Sequence, residues 1–494
     1  MKGRGGFRVD APSTRGRLGL VVLLITGFLG LAGCSVDPAS RSVVLITIDT
    51  LRADHLSIGG NAVLTSPVLD AFARRGTRFE WAFSTCSYTV PSHASMLVGM
   101  YPSFHSAGLM NSQQRLAPEE NTLAEILREA GWRTAAIVSN AVLDPAVGLD
   151  QGFESYDARL PDRERVRPMS ERRAANAVDR ALEKLDEFEG ERFFLWLHLQ
   201  DPHGPYTPPE STPRLEASRD IRSSKRALRL PIGRDNSGYQ AIPIYQAYGS
   251  ERAFVEYRDR YDREIRSLDA ELARLFAYFE EHALLERALV IVTSDHGEAM
   301  GEDDFYFAHG HSVGLEQVHV PLFFTGNEIR SNRPISTPVS NLSVFATILE
   351  YLGQPIPEGV QSESLLAVLT DGEAVSSTPF FTESFTQRGI VDAGFYLRAD
   401  SRAADDERFW RGSPISGGFI TPLGTQMMRL DSSSDSSLGP TVATEVPRAA
   451  ELEKKLQLFS RSAEKVRRSF QARAHQLKPD EGRIEELRAL GYIE

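Results

Sequence analysis

Ser42-Val43-Val44-Leu45-Ile46-Thr47-Ile48-Asp49 is apolar and β-branched on both faces, with no polar alternation until Asp49 ends the run. A strand of that kind is covered on both sides, as in a parallel sheet sandwiched between helices. Two more runs repeat the pattern. Ala288 to Thr293 (ALVIVT) leads into Ser294-Asp295-His296-Gly297, and Arg192 to Leu199 (RFFLWLHL) leads into Asp201-Pro202-His203. Between them lie helical periodicities over Pro67 to Arg75, Thr122 to Ala130 closed by Gly131, Glu171 to Phe188 closed by Gly190, and Phe254 to His282. Strands alternating with helices predict an α/β fold with a doubly wound, mostly parallel sheet flanked by helices. Ligands of such sheets lie beyond the carboxyl ends of the strands, where these acids and histidines fall.

The chain of 494 residues, 25% charged and 41% hydrophobic, has the composition of a globular protein with a large core. Its formal charge of −12, from 55 basic and 67 acidic residues, argues against nonspecific nucleic-acid binding. The basic residues Lys2, Arg4, Arg8, Arg15 and Arg17 precede an apolar run from Leu18 to Leu31, which is too short to cross a bilayer comfortably and ends in Leu31-Ala32-Gly33-Cys34. The segment resembles a bacterial lipobox. Residues 1–33 are expected to be a lipoprotein signal peptide, Cys34 the lipidated residue, and residues 34–41 a linker, giving an exported lipoprotein on the periplasmic side of the membrane or at the cell surface. Only Cys86 follows Cys34, so no disulfide can form within the exported part. Residues 42–374 are expected to form the catalytic domain and 375–494 a smaller C-terminal subdomain. That part holds a Ser/Asp-rich turn at Asp431 to Ser437 and a charged helix from Arg448 to Gln476. The Pro- and Arg-rich stretch from 204 to 250 reads as a long surface loop.

Thr89-Val90-Pro91-Ser92-His93-Ala94-Ser95 places a hydroxyl two residues before a proline suited to the first helical position. Thr89 would then stand at the positive end of a helix, where an oxyanion is stabilised. Taken alone, a threonine at that place is equally a plain cap.

The whole series resembles the sulfatase family of the alkaline phosphatase superfamily. The matching segments are LITIDTLRADHLSIGG, TVPSHASMLVGMYPSFH, LAEILREAGWRTAAIVSN, FLWLHLQDPHGPYTPP and VTSDHGEAMGEDDFYFAHGHSVGLEQVHVPL, in the family's order over residues 42 to 325. The resemblance implies an alkaline-phosphatase-like fold with Asp49, Thr89, Asp295 and His296 around a divalent metal. Thr89 would hold the nucleophile position, and His203 and His309 would contact the oxyanion or the leaving group. Asp201, His203 and His309 could instead hold a second metal ion. Asn111 and Asn140 are weaker candidates for contacts to the oxyanion. His55, His93, His105 and His311 read as packing or supporting residues.

Departures from the family are as informative. Sulfatases proper carry C-x-P-x-R, whose Cys becomes formylglycine; here those positions are Thr89, Pro91 and His93, and Cys86 lies three residues too early. Thr50 replaces the second Asp of the strand-end pair, the family's G-K-W-H segment is missing near Val138-Ser139-Asn140, and His296 stands where calcium-binding members usually have Asn. A small mixed N/O ligand set suits zinc or manganese better than calcium, which takes six to eight oxygens. A threonine nucleophile resembles the phosphodiesterases and phosphoglycerol or phosphoethanolamine transferases of the superfamily. The expected activity is hydrolysis of phosphate esters or diesters on a small-molecule, glycan or lipid ester. A sulfatase acting without formylglycine, a head-group transferase and a nonenzymatic surface lipoprotein remain as alternatives.

Overall fold

The computed structural model describes residues 41–108, 115–164, 170–215, 223–400, 425–430 and 446–471. The apolar run becomes β1 (Ser42–Ile48), all seven residues buried. It is followed by β2 (Thr77–Phe83), β3 (Arg133–Ile137), β4 (Ser155–Asp157), β5 (Phe193–Leu199), β6 (Ala288–Ser294), β7 (His319–Thr325), β8 (Arg333–Ile335) and β9 (Val339–Ser340). These build one sheet in the order β8-β2-β7-β6-β1-β5-β3-β4, with β9 beside β2. Neighbours are parallel except around β7, which runs antiparallel to both β2 and β6. The expectation of a doubly wound, mostly parallel sheet holds.

The main helices are α1 (Pro67–Ala73), α2 (Thr89–Val98), α3 (Leu123–Glu129), α4 (Ala174–Glu187), α5 (Phe254–Glu281) and α6 (Ser343–Tyr351). Successive side chains of a strand point to opposite faces, and β1 shows what this does to the core. Val43 and Leu45 pack with Leu97 of α2, Leu123 of α3 and Phe345 of α6. Val44, Ile46 and Ile48 pack with Phe72 of α1, Val178 of α4 and Leu268 of α5. Each fully buried aliphatic side chain stabilises the fold by about 1.5–3 kcal/mol before entropy is counted, so β1 has no face free for polar residues except near its end. Thr47 lies on the α2 side, and that side carries the site.

Beyond Phe380 the chain forms an antiparallel meander of β10 (Phe380–Glu383), β11 (Gln387–Asp392), β12 (Phe395–Asp400) and β13 (Gln426–Arg429). The final helix, α7 (Val446–Gln471), lays Leu452 and Leu456 on Ile390 and Leu397. Trp81 and Phe83 of the large sheet share a core with Val391 and Tyr396, which joins the meander to the main body.

The stretch from 204 to 250 departs from the expected surface loop. Tyr206, Ile242 and Tyr245 are buried, and only part of the segment reaches solvent. Its proline and arginine content masked the apolar anchors between them. The signal segment, Cys34 and the turn at 431 to 437 lie outside the described residues. Among those described, no helix is long and apolar enough to cross a membrane.

Candidate metal centre and nucleophile

Strand register brings the acids together. Ile48 of β1 is level with Ser294 of β6, so the residues that follow, Asp49 and Asp295, leave adjacent parallel strands side by side. On the other flank Thr47 is level with His198 of β5, and the Asp49 N–H donates to the Leu199 carbonyl (2.9 Å). The chain then turns at Thr50 with φ of 55°, a conformation that is costly for a β-branched residue. It is held there by the Thr50 N–H on Asp295 Oδ1 (3.2 Å) and by the Tyr261 hydroxyl on the Thr50 carbonyl (2.6 Å). Thr89 arrives from the opposite side as the first residue of α2, with Tyr88 as its cap. The helix thus begins two residues earlier than Pro91 suggested. A proline is tolerated through the first turn because those N–H groups have no intrahelical acceptor.

Four donor atoms converge. Thr89 Oγ1 is 3.2 Å from His296 Nε2, which lies 3.4 Å from Asp295 Oδ2 and 3.9 Å from Asp49 Oδ1. All four residues are fully buried. Asp49 Oδ1 and Asp295 Oδ2 have no hydrogen-bond donor, although the other oxygen of each carboxylate is satisfied. A buried anionic oxygen without a donor is expensive, and a cation between the two relieves both. His296 Nδ1 donates to the Gly297 carbonyl (2.9 Å), which leaves the Nε2 lone pair facing the carboxylates. Neighbouring ligands of a tetrahedral ion with bonds of about 2.0–2.1 Å are about 3.3 Å apart, close to these separations. The residues present therefore fit one divalent cation.

Electrostatics agree with that reading. Burial works to raise the Asp49 carboxyl, but His203, His198 and His296 outweigh it and hold Asp49 well below the usual carboxylate range. Asp295 is pushed up, by burial first and then by the negative charge of Asp49 beside it. Burial also lowers His296, keeping its imidazole neutral as a ligand must be. No Arg or Lys among the described residues hydrogen-bonds or ion-pairs to Asp49, Thr89, Asp295 or His296.

His93 and His198 also approach Asp295 closely enough to suggest a second ligand group, but both nitrogens of His93 and Nδ1 of His198 are hydrogen-bonded, and only His198 Nε2 lacks a partner. His93 Nδ1 donates to the Thr89 carbonyl (2.8 Å) and His93 Nε2 accepts from Thr47 Oγ1 (3.0 Å), which itself accepts the Trp196 indole N–H (3.0 Å). His198 Nδ1 accepts the Ser139 N–H (3.2 Å), so its proton sits on Nε2, 3.4 Å from Asp49 Oδ2. Neither has a lone pair for a metal. Burial, reinforced by His198, lowers His93 to about 3 and keeps it neutral. His93 steadies the Thr89 backbone, and His198 turns its Nε2 toward Asp49.

His203 sits between two cis prolyl bonds, Asp201-Pro202 and Gly204-Pro205, with Nδ1 2.7 Å from the Gly204 carbonyl and 3.1 Å from Gln200 Nε2. Its ring centroid is 5.3 Å from that of His309, which is 4.5 Å from that of His296. The two expected histidines thus stand at the site. Asp201 does not. Its carboxylate accepts the Ala174 N–H at the head of α4 (2.8 Å) and lies 3.5 Å from Arg173. The structure therefore does not assemble Asp201, His203 and His309 as a second metal site; an acid at a strand end has served as a helix cap. Asn140 is likewise re-assigned: Nδ2 donates to Asp49 Oδ2 (2.9 Å) and Oδ1 accepts the Val142 N–H (3.1 Å), so its amide supports the ligand and not the oxyanion. Asn111 lies outside the described residues. His55 pairs with Asp262 (2.6 Å), His105 with Ser95 and His311 with Gln317, all in the framework.

Glu298 escaped the reading of the sequence. It is fully buried, two residues after His296, with Oε1 on His309 Nδ1 (3.0 Å) and Oε2 accepting the Tyr206 hydroxyl (2.8 Å). His198 also passed unremarked. A histidine facing the same side as Phe194 and Trp196 in an otherwise apolar strand was the available signal.

Comparison with known proteins bears on this geometry. The family model described as Sulfatase matches residues 41–354. Arylsulfatase K of Canis lupus familiaris is 26% identical over 367 residues, 68% of this chain and 67% of that one. The chain thus spans about two thirds of that relative's length. Among solved structures, the phosphonate monoester hydrolase SpPMH from Silicibacter pomeroyi aligns with a TM-score of 0.61 at 19% identity, covering 86% of this chain and 95% of that chain. A protein solved in complex with its substrate D-glucosamine-2-N,6-O-disulfate aligns with a TM-score of 0.65 at 16% identity, covering 86% of this chain and 98% of that one.

Proposed function

The chain belongs to the sulfatase family, and we propose that it is a metal-dependent hydrolase of phosphate esters, diesters above all, working through Thr89. The observation that carries this reading is the pair of donorless buried oxygens, Asp49 Oδ1 and Asp295 Oδ2, facing His296 Nε2 and the Thr89 hydroxyl. Asp49, Thr89, Asp295 and His296 would hold a divalent ion, zinc or manganese by the mixed donor set, which would supply Lewis acidity to the ester and favour the ionised Thr89 oxygen. Thr89 Oγ1 loses its proton to water and bonds to phosphorus in line. The ester P–O bond breaks, its electron pair goes to the leaving oxygen, and a site histidine protonates that oxygen. Water then cleaves the Thr89 phosphoester and regenerates the hydroxyl. The head of α2 favours negative charge at this position.

Charge narrows the substrate. Asp49 and Asp295 together would balance one divalent cation, and no Arg or Lys among the described residues pairs with the four donors, so this ligand set offers no surplus positive charge to a phosphate dianion. A diester or a phosphonate monoester, each with a single negative charge, matches the site. A sulfate ester is also a monoanion, and the kinship with arylsulfatase K favours it as the second reading. Thr89 weighs against it, because a threonine lacks the geminal hydroxyl through which formylglycine expels sulfate. Export and anchoring through Cys34 belong to the same proposal and rest on the lipobox-like sequence.

The test is a panel of bis-nitrophenyl phosphate, nitrophenyl phenylphosphonate, nitrophenyl phosphate and nitrophenyl sulfate. The protein is loaded in turn with zinc, manganese and calcium, with Thr89→Ala as blank. Leading turnover of the diester or phosphonate with zinc or manganese supports the reading; leading turnover of the sulfate overturns it.

A further inference from the structure

Two histidines stand in line beside the candidate ligand His296, and their supports differ. His203 Nδ1 meets the Gly204 carbonyl (2.7 Å) and the Gln200 side-chain amide nitrogen (3.1 Å), both uncharged. His309 Nδ1 instead meets a carboxylate, Glu298 Oε1 at 3.0 Å. A carbonyl orients a ring, whereas a carboxylate also stabilises the positive charge a histidine carries when it holds a proton for transfer. Glu298 is held on three sides. The Tyr206 hydroxyl donates to its other oxygen (2.8 Å), the Arg52 guanidinium donates to its backbone carbonyl (2.9 Å), and its side chain is fully buried. A buried carboxylate is costly, no Arg or Lys hydrogen-bonds the Glu298 side chain among the described residues, and none of the metal, capping or core contacts already described explains it.

We propose that Glu298 is the positioning residue of His309, and that this pair, not His203, delivers the proton to the leaving oxygen. The inference rests on the Thr89 reading of the site and assigns the acid within it. With Nδ1 engaged by the Glu298 carboxylate at 3.0 Å, Nε2 is the ring nitrogen left to face a leaving oxygen. The ring of His309 lies against His296 and is partly exposed, whereas His296 is fully buried. As the ester P–O bond breaks, the Nε2 proton passes to the leaving oxygen, which departs as an alcohol. His309 recovers a proton from the water that attacks the Thr89 phosphoester, so the pair ends each cycle as it began.

The experiment measures kcat/KM for methyl aryl phosphates whose phenols run from nitrophenol to unsubstituted phenol, and for the matching aryl sulfates. A good leaving group needs no proton and a poor one does. Glu298→Gln should lose about tenfold or less on the nitrophenyl ester and roughly 10²- to 10³-fold on the phenyl ester. His309→Ala should show the same steepening, and the double variant little further loss. Glu298→Asp should recover part of the phenyl rate, and Tyr206→Phe should shift the slope the same way by a smaller amount. His203→Ala should cost the same factor across the series. Uniform losses for Glu298→Gln, or steepening with His203→Ala instead, overturn the assignment. If only the sulfates turn over, the phosphoester reading falls while the sulfate series still decides on Glu298. The 15N shifts of the His309 ring supply a readout independent of turnover: they should report a changed tautomer in Glu298→Gln, and an unchanged ring refutes the positioning role.

Discussion

Thr47 gives the sharpest test of how the nucleophile is held, because a change that makes β1 more apolar should destabilise it. Its hydroxyl accepts the Trp196 indole N–H and donates to His93 Nε2, both at 3.0 Å, and all three residues are buried. Thr47→Val keeps the shape and removes the hydroxyl. It leaves one buried donor and one buried acceptor unpaired, at about 1–3 kcal/mol each. The extra methyl returns about 0.8 kcal/mol, so the net loss is roughly 1–5 kcal/mol. Unfolding entropy of about 2.1 cal/mol/K per residue makes each kcal/mol worth about 1 °C in a chain of 494 residues. Calorimetry should therefore show Tm falling by about 1–5 °C. Thr47→Ser keeps both hydrogen bonds and loses one methyl, so its Tm should fall by only about 1 °C. The same substitution to Val should loosen His93 from the Thr89 carbonyl and reduce kcat by roughly 10- to 100-fold with little change in KM, since small displacements of a nucleophile are felt strongly. A valine variant that melts at or above the serine variant would refute the hydrogen-bond chain from β1 to Thr89.

Three further outcomes follow from the site. Thr89→Ala should reduce diester turnover to the blank while Tm stays within about 2 °C, because the only bond its hydroxyl makes among the described residues is to His296; retained turnover removes Thr89 from the mechanism. Asn140→Ala takes a donor from Asp49 Oδ2 and should weaken zinc or manganese binding by about 10- to 100-fold in calorimetric titration. An unchanged affinity would mean that His198 alone orients Asp49. Asp201→Ala should cost about 1 kcal/mol through the lost α4 cap and leave the metal stoichiometry untouched. Loss of an equivalent of metal in that variant would restore Asp201 to a metal site.

The large sheet was legible because hydrophobic patterning decides it. The run from Ser42 to Ile48 is buried on both faces whatever else the chain does, and the strand-end acids follow from where it stops. The boundaries of α1, α3, α4 and α5 came within a few residues for a similar reason: their periodic faces pack on that sheet. What patterning does not contain is the direction of a polar side chain. Asp201 and His203 stand two apart at the end of β5, yet one turns to cap α4 and the other turns to the site. Asn140 and His198 come from different strand ends and meet only on Asp49, a convergence set by register between β1, β5 and β3. Glu298 was invisible for the same reason, since its role is defined by His309, eleven residues later, and by Tyr206, ninety-two residues earlier.

The histidines also explain why this site should prefer a different charge from that of a formylglycine sulfatase. Where sulfatases proper place the arginine of C-x-P-x-R, this chain has His93, buried and held neutral with its donor on the Thr89 carbonyl. Where the family's lysine-containing segment would lie, Asn140 supports Asp49. Removing fixed cations lowers the attraction for every anionic ester, but it penalises a dianion about twice as much as a monoanion, because the Coulomb term scales with the product of charges. The donor set that remains asks for one divalent ion and is neutral once that ion is bound. Selectivity then comes from the second negative charge of a phosphate monoester, for which the described ligand set holds no surplus cation, and bis-nitrophenyl phosphate should exceed nitrophenyl phosphate in kcat/KM even though its ester carries more bulk. A preference for the monoester would mean that a cation beyond these four ligands completes the site, and the charge argument for a diester would fail with it.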